Sequence, residues 1–344
     1  MELSRQAARR HRRVKTTRKA IRTLLILVLV LIPGLYLVAS QVQALVTAPP
    51  LLEPPPEPTA PGASRPAPTT KPPAPGTRTS RPPAPEKPNL APLNQSITQL
   101  LGSDLLHYGV YVVDLRSGVA TGVNENTRFP AASTVKLPLA MFVLEQAHRG
   151  ELGLDEKIAY TDDDYEDGTG VLQGTPPGTE FSTGDLVKLA ITESDNIAAN
   201  MLLRRFGRDA VAAYTRSLGG EAIPFDGDNL VTPKDMSFYL RRLMQVKYVS
   251  KETRDLLLDY LTHTGFNDRL PSGLPPTVRI AHKIGTLPGV VNDVGIVFAP
   301  QRTYIISVMS RDVSEDDATQ MISAISRTVY QFEVQPPNPS NSGR

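Results

Sequence analysis

The sequence predicts an α/β chain of the α+β kind: a sheet assembled from the two ends of one segment, with helices over it and a helical subdomain inserted between. Three observations carry this. Strand patterns open the segment at 107–115 and 119–124, and strand patterns return at 278–284, 290–298 and 303–310. Between them lies a run of capped amphipathic helices. A cleft between sheet and helical subdomain is where chemistry is expected.

The elements follow in order. Residues 1–22 form a basic segment, with nine Lys and Arg between 5 and 22. No charge then occurs until Glu53, and the run from Leu24 to Ile32 is aliphatic throughout. With its flanks it is long enough to cross a bilayer, and the basic side holds that end in the cytoplasm. We therefore expect one transmembrane signal-anchor at 23–46, with the remainder outside the cytoplasm, in the periplasm or at the cell surface. A cleaved secretory signal, processed near Val42-Gln43-Ala44, is the competing expectation. The apolar run assigns the basic residues to a membrane flank rather than to nucleic acid.

Pro49 to Pro92 holds 17 prolines in 44 residues, so 47–93 reads as a disordered, polyproline-like linker. The folded domain is expected at 94–334, with a disordered tail at 335–344. Residues 1–92 carry 14 Lys and Arg against 4 Asp and Glu, and the remainder 23 against 31, so the overall charge of +2 describes neither part. Cysteine is absent, which excludes a disulfide framework and thiolate metal sites.

Within the domain, 107–115 and 119–124 pair as a hairpin across Arg116-Ser117-Gly118. A helix beginning at Ser133 shows apolar Val135, Leu139, Phe142 and Val143 and stops near Gly150. Ser182 opens a helix through Ile191, and another runs from Asn196 to Arg205, ended by Gly207. Thr232-Pro233 starts the next, Ser250 caps one through Leu261, and a last helix spans 314–330.

Chemistry concentrates in three short motifs. Ser133 and Lys136 lie one helical turn apart, where a desolvated lysine takes the proton of a hydroxyl near a helix N-terminus. The structural alternative is an N-cap serine with a solvated lysine. Ser194-Asp195-Asn196 sits at a junction of two helices, 61 residues after Ser133, and a capping turn is its alternative reading. Lys283-Ile284-Gly285-Thr286 ends a predicted strand, and His282 reads as packed or solvent-facing. No H-E-x-x-H or G-x-S-x-G pattern is present, which argues against a zinc hydrolase and an α/β-hydrolase.

Ser-x-x-Lys, Ser-Asp-Asn and Lys-x-Gly in this order resemble class A serine β-lactamases and their relatives over residues 95–332. The resemblance implies an antiparallel sheet flanked by helices beside an all-helical subdomain, in the β-lactamase/D,D-peptidase-like fold. It implies Ser133 as acylated nucleophile, Lys136 as its proton acceptor and Ser194 as a proton relay. Asn196 would bind the acyl-side amide, Lys283 the substrate carboxylate, and the N–H groups of Ser133 and Thr286, beside Gly285, the oxyanion. No cofactor or metal is implied, and a monomer acting on a β-lactam or cell-wall peptide is expected. Two positions depart from the family pattern. Ile284 stands where a hydroxyl residue is usual. The loop before Thr232-Pro233 is short, and Phe225 follows Glu221 where an asparagine is expected. Glu221, with Asp226 and Asp228, is the candidate deacylation base, and solvated turn acids are the alternative. The leading function is thus a tethered β-lactam-opening hydrolase. The alternatives are a D,D-peptidase-like enzyme and an idle penicillin-binding sensor domain.

Overall fold

Which segments reach the cleft is decided by a sheet whose strands come from opposite ends of the domain. The structure, a computed structural model, describes residues 88–334 apart from 221, 222, 224, 226–228 and 301. The predicted basic segment, anchor and tail, the linker to residue 87, and Glu221, Asp226 and Asp228 lie outside the described residues. Among the described residues no helix is long and apolar enough to cross a membrane.

The chain enters through α1 (Ala91–Leu101), whose Leu93, Ile97 and Leu101 recur on one buried face. Strands β1 (Tyr108–Asp114) and β2 (Ala120–Val123) form the expected hairpin. Strands β7 (Arg279–Leu287), β8 (Val290–Phe298) and β9 (Thr303–Ser310) return at the C-terminal end, before α8 (Glu315–Glu333). The sheet order is β2-β1-β9-β8-β7, all antiparallel, so β1 closes on β9 and β7 is an edge. Every residue of β9 except Thr303 is buried, because both faces of the sheet are covered.

On one face, α1 and α8 pack Leu93, Ile97, Ile322, Ile325 and Val329 against Val110, Val112 and Ile306. On the other lie α2 (Lys136–His148), α3 (Thr183–Thr192), α4 (Asn196–Phe206), α6 (Pro233–Leu243) and α7 (Lys251–Thr262). Their core runs through Leu139, Phe142, Ile191, Met201 and Tyr239 to Val113 and Ile305 of the sheet. The caps expected at Ser182, Thr232 and Ser250 are formed, each side chain accepting the N–H three residues on.

Several elements differ from the sequence expectation. An additional helix, α5 (Arg208–Ser217), follows α4 directly across Gly207, whose φ of 83° turns the chain without a side-chain cap. Short ladders join β3 (Phe129–Pro130) to β6 (Leu230–Val231), and β4 (Lys157–Ala159) to β5 (Glu180–Ser182). These are too brief for an alternating pattern to show. Strand β7 continues past Ile284 to Leu287, carrying Gly285 and Thr286 within the sheet.

Because Leu93 is fully buried, a fragment starting at residue 95 loses the first turn of α1 and a core side chain. Deleting such a leucine costs about 2–5 kcal/mol. A 95–332 fragment should therefore melt roughly 5–15 °C below an 88–334 fragment. Calorimetry on both checks this, and equal melting temperatures would show that α1 contributes no core.

Candidate active site

Ser133 sits in a 3-10 turn (Ala132–Val135) that leads into α2, rather than inside the α-helix itself. The turn is fixed from three sides. Ala132 has φ 48°, a left-handed conformation that is uncommon without glycine. The Ala131 N–H donates to the Asn229 carbonyl at 2.8 Å. From β8, the Asn292 amide donates to the carbonyls of Pro130 (2.8 Å) and Ala131 (3.2 Å), while its oxygen accepts the Ser310 N–H.

Gly285 lets β7 lie against this turn. A Cβ there would stand 2.8 Å from the Ala131 oxygen and 3.1 Å from the Ser133 nitrogen. Leu287 pairs with Val290 across the two-residue turn Pro288–Gly289. In the alternation of an antiparallel ladder, Thr286 then turns its N–H to the free edge of β7. The backbone donors of Ser133 and Thr286 are thereby neighbours, as an oxyanion site requires.

Behind Ser133, two lysines converge on the turn between α3 and α4. Lys136 Nζ donates to the Ser194 carbonyl, to Asn196 Oδ1 at 2.6 Å and, at 3.5 Å, to Ser194 Oγ. Lys283 Nζ donates to Ser194 Oγ at 2.8 Å and to the Ile284 carbonyl. Burial holds the Lys136 pKa down to about 8, against the opposing pull of Glu166 and then Asp195. Burial, then the positive charge of Lys136, pushes Lys283 well below the usual lysine range. Ser194 has φ 52°, and Asp195 caps α4 by accepting the Ala198 N–H.

The same aspartate latches a loop onto the site. Asp195 Oδ2 accepts the N–H groups of Val171 (2.6 Å) and Leu172 (3.0 Å), and Thr169 Oγ1 donates to the Ser194 carbonyl. Gly170, at φ 132°, is required here, since a Cβ would stand 2.3 Å from Asp195 Oδ2. The latch carries Glu166 to the wall of the cleft, where its Oε2 accepts the Asn200 amide at 2.8 Å. Asn196 Nδ2 donates to the Asp167 carbonyl, tying the loop to the residue that holds Lys136.

The cleft encloses about 1520 Å³, larger than the usual small-ligand pocket. Ser133, Lys136, Asn196 and Thr286 line it, and Ser194, Lys283 and Gly285 stand behind that wall. Every predicted site residue among those described is thus gathered in one place. His282, buried, is hydrogen-bonded to Asp293 at 2.9 Å and lies behind the sheet wall.

Two residues escaped the sequence reading. Glu166 is one, in a run of acids with no spacing signal of its own. Asn200, four residues after Asn196 and so on the same helix face, was its available trace. Arg269 is the other. Buried, it donates to Thr286 Oγ1 at 2.7 Å and to the Gly285 and Asn292 carbonyls, adding positive charge beside Lys283.

The family described as "Beta-lactamase enzyme family" matches residues 92–332. A β-lactamase of Streptomyces albus G is 30% identical over 233 residues, covering 62% of this chain and 74% of that protein. Among solved structures, PBP-A superposes with a TM-score of 0.68 at 32% identity, over 73% of this chain and 99% of that one. A variant of PBP-A, solved as an acyl-enzyme complex with penicillin G, gives 0.67 at 31% identity, over 73% and 100%. An ancestral class A β-lactamase gives 0.64 at 30% identity, over 70% and 99%.

If Lys136 takes the serine proton, labelling of Ser133 should accelerate about tenfold per pH unit up to pH about 8 and level off above it. The sign follows from the chemistry, since only the neutral amine accepts a proton and it accumulates as pH rises through the pKa. Stopped-flow acylation across pH 5–10 checks this, and a flat profile would remove Lys136 as the base. Gly285→Ala should slow labelling by more than about tenfold, because its methyl pushes β7 away from the Ser133 turn. Circular dichroism on the same sample separates that effect from unfolding.

Proposed function

The chain belongs to the β-lactamase enzyme family and is a serine β-lactamase-like hydrolase of the class A type, and from this premise we propose that it opens β-lactam rings through an ester on Ser133. The observation that carries the reading is the Lys136–Ser194–Lys283 chain of hydrogen bonds beside Ser133. Neutral Lys136 takes the Ser133 proton as Oγ attacks the ring carbonyl. The N–H groups of Ser133 and Thr286 hold the tetrahedral oxygen. As the C–N bond breaks, the proton passes from Lys136 through Ser194 Oγ to the departing nitrogen. The Thr286 hydroxyl at the cleft wall donates to a substrate carboxylate, and Lys283 and Arg269 behind it supply positive charge.

We further propose that hydrolysis of the ester is the slower step. In the sequence of the connector before β6, Phe225 follows Glu221 where the family's loop carries an asparagine, and no other acid there has the spacing of the family's water-activating glutamate. The likeness to PBP-A keeps a D,D-peptidase-like reaction on cell-wall peptides as the second reading. In both readings the domain acts outside the cytoplasm, tethered by residues 23–46. Hydrolysis of β-lactams there would contribute to antibiotic resistance.

A chromogenic cephalosporin should give a burst of about one equivalent followed by a slow steady state. Intact-mass spectrometry should find the adduct on Ser133, and Ser133→Ala should abolish both signals. Labelling of the Ser133→Ala protein would place the nucleophile elsewhere. Alkaline carbonate washing of membranes tests the tether, which a wholly soluble protein beginning near Leu45 would exclude.

A further inference from the structure

We propose that Glu166, held by Asn200, is the base that activates the water hydrolysing the Ser133 ester. The inference rests on the acyl-enzyme reading above and supplies the residue that reading leaves open. Glu166 lies on the segment before Ser194-Asp195-Asn196, whereas the loop glutamate of class A enzymes lies on the connector before Thr232-Pro233.

Three observations converge. First, Glu166 lines the same cleft as Ser133, and Asn200, from the helix that begins at Asn196, fixes one of its oxygens at 2.8 Å. Second, its segment cannot drift from the nucleophile. Asp195 binds the N–H groups of Val171 and Leu172, Asn196 binds the Asp167 carbonyl, and Arg204 grips Asp164 at 2.7 Å. Third, Glu166 is the foremost negative charge acting on Lys136, ahead of Asp195.

Among the described residues, the other carboxylates lining the cleft are otherwise placed. Asp167 Oδ1 accepts the Tyr165 hydroxyl. Glu315 stands 3.6 Å from the Arg269 guanidinium, at the Thr286 end. Asp195 lies behind the wall, with both oxygens occupied by backbone N–H groups.

The step balances. Water attacks the ester carbonyl and gives one proton to the Glu166 carboxylate. The tetrahedral oxyanion collapses and the C–Oγ bond breaks, with neutral Lys136 relaying the proton held by Glu166 to Oγ. Glu166 is again a carboxylate and Lys136 again neutral, and the product acid loses its own proton to solvent. Glu166 is exposed, so water reaches it without a gate, and it is less desolvated than an enclosed base. That agrees with a second step that is present but slow.

Glu166→Gln tests this in the full chain, with the chromogenic cephalosporin as probe. The burst should persist at an equal or higher rate, because removing the charge favours neutral Lys136. The steady state should fall by about 10²-fold, toward the lower end of a general base's usual contribution. The adduct on Ser133 should persist correspondingly longer by intact mass. Hydroxylamine, a nucleophile that needs no base, should still release it. An unchanged steady state would overturn the assignment. So would a burst slowed in parallel, which marks a structural role. Failure of the unaltered protein to form any adduct would remove the acyl-enzyme reading itself, and this inference with it.

Discussion

Two buried ammonium groups meet one serine hydroxyl, and the rest of the site is arranged to make that tolerable. Lys136 and Lys283 are both nearly inaccessible to solvent, and both reach Ser194. An isolated buried cation costs several kcal/mol in lost hydration, and a second beside it raises the cost. Each lysine is therefore given oxygen acceptors, and the charge of Lys136 displaces Lys283 toward the neutral form. The turn that presents them must hold Ser194 at positive φ, a conformation worth about 1–3 kcal/mol of strain. Asp195 offsets that strain. Its two carboxylate oxygens accept three backbone N–H groups, binding the turn to α4 on one side and to the 169–172 loop on the other.

The nucleophile depends on the opposite wall. Ser133 belongs to the helical layer by sequence, yet its turn is fastened to the sheet by Asn292 and seated on Gly285. That contact exists because β7 is the sheet edge and because a glycine removes the side chain that would hold the layers apart. Arg269 then binds the Thr286 hydroxyl and the carbonyls of Gly285 and Asn292, bridging the edge strand to its neighbour β8. The cleft is thus a joint between two cores, and rigidity on each side positions groups that face each other across it.

What was legible in the sequence was local. Caps at Ser182, Thr232 and Ser250 could be read because a hydroxyl and the N–H it accepts are three residues apart. The three motifs could be read because each packs its chemistry into four residues or fewer, and the fold brings them together. What was not legible depends on contacts between distant segments. Glu166 acquires meaning only through Asn200, on a helix that its own loop latches, and the acids around it, Asp162, Asp163, Asp164 and Asp167, conceal it in a solvated run. Arg269 is an unremarkable arginine until Leu270 and its neighbours fold beneath the edge strand. Helix α5 follows a glycine stop with no capping side chain, so nothing local announces its start.

If Glu166 activates the hydrolytic water as proposed, its placement also sets the two halves of the reaction against each other. Acylation needs Lys136 neutral, and burial pushes it that way. A carboxylate across the cleft pulls the other way, keeping more of the lysine protonated. With a pKa of about 8, roughly a tenth of Lys136 is neutral at pH 7. A negative charge placed to activate water is therefore a charge that restrains the first step. Exposure moderates the conflict, because solvent screens Glu166 from Lys136 more than it would an enclosed acid. The same screening weakens it as a base. On the proposed mechanism an exposed carboxylate restrains acylation less and activates water less than an enclosed one would, and acylation then outruns hydrolysis.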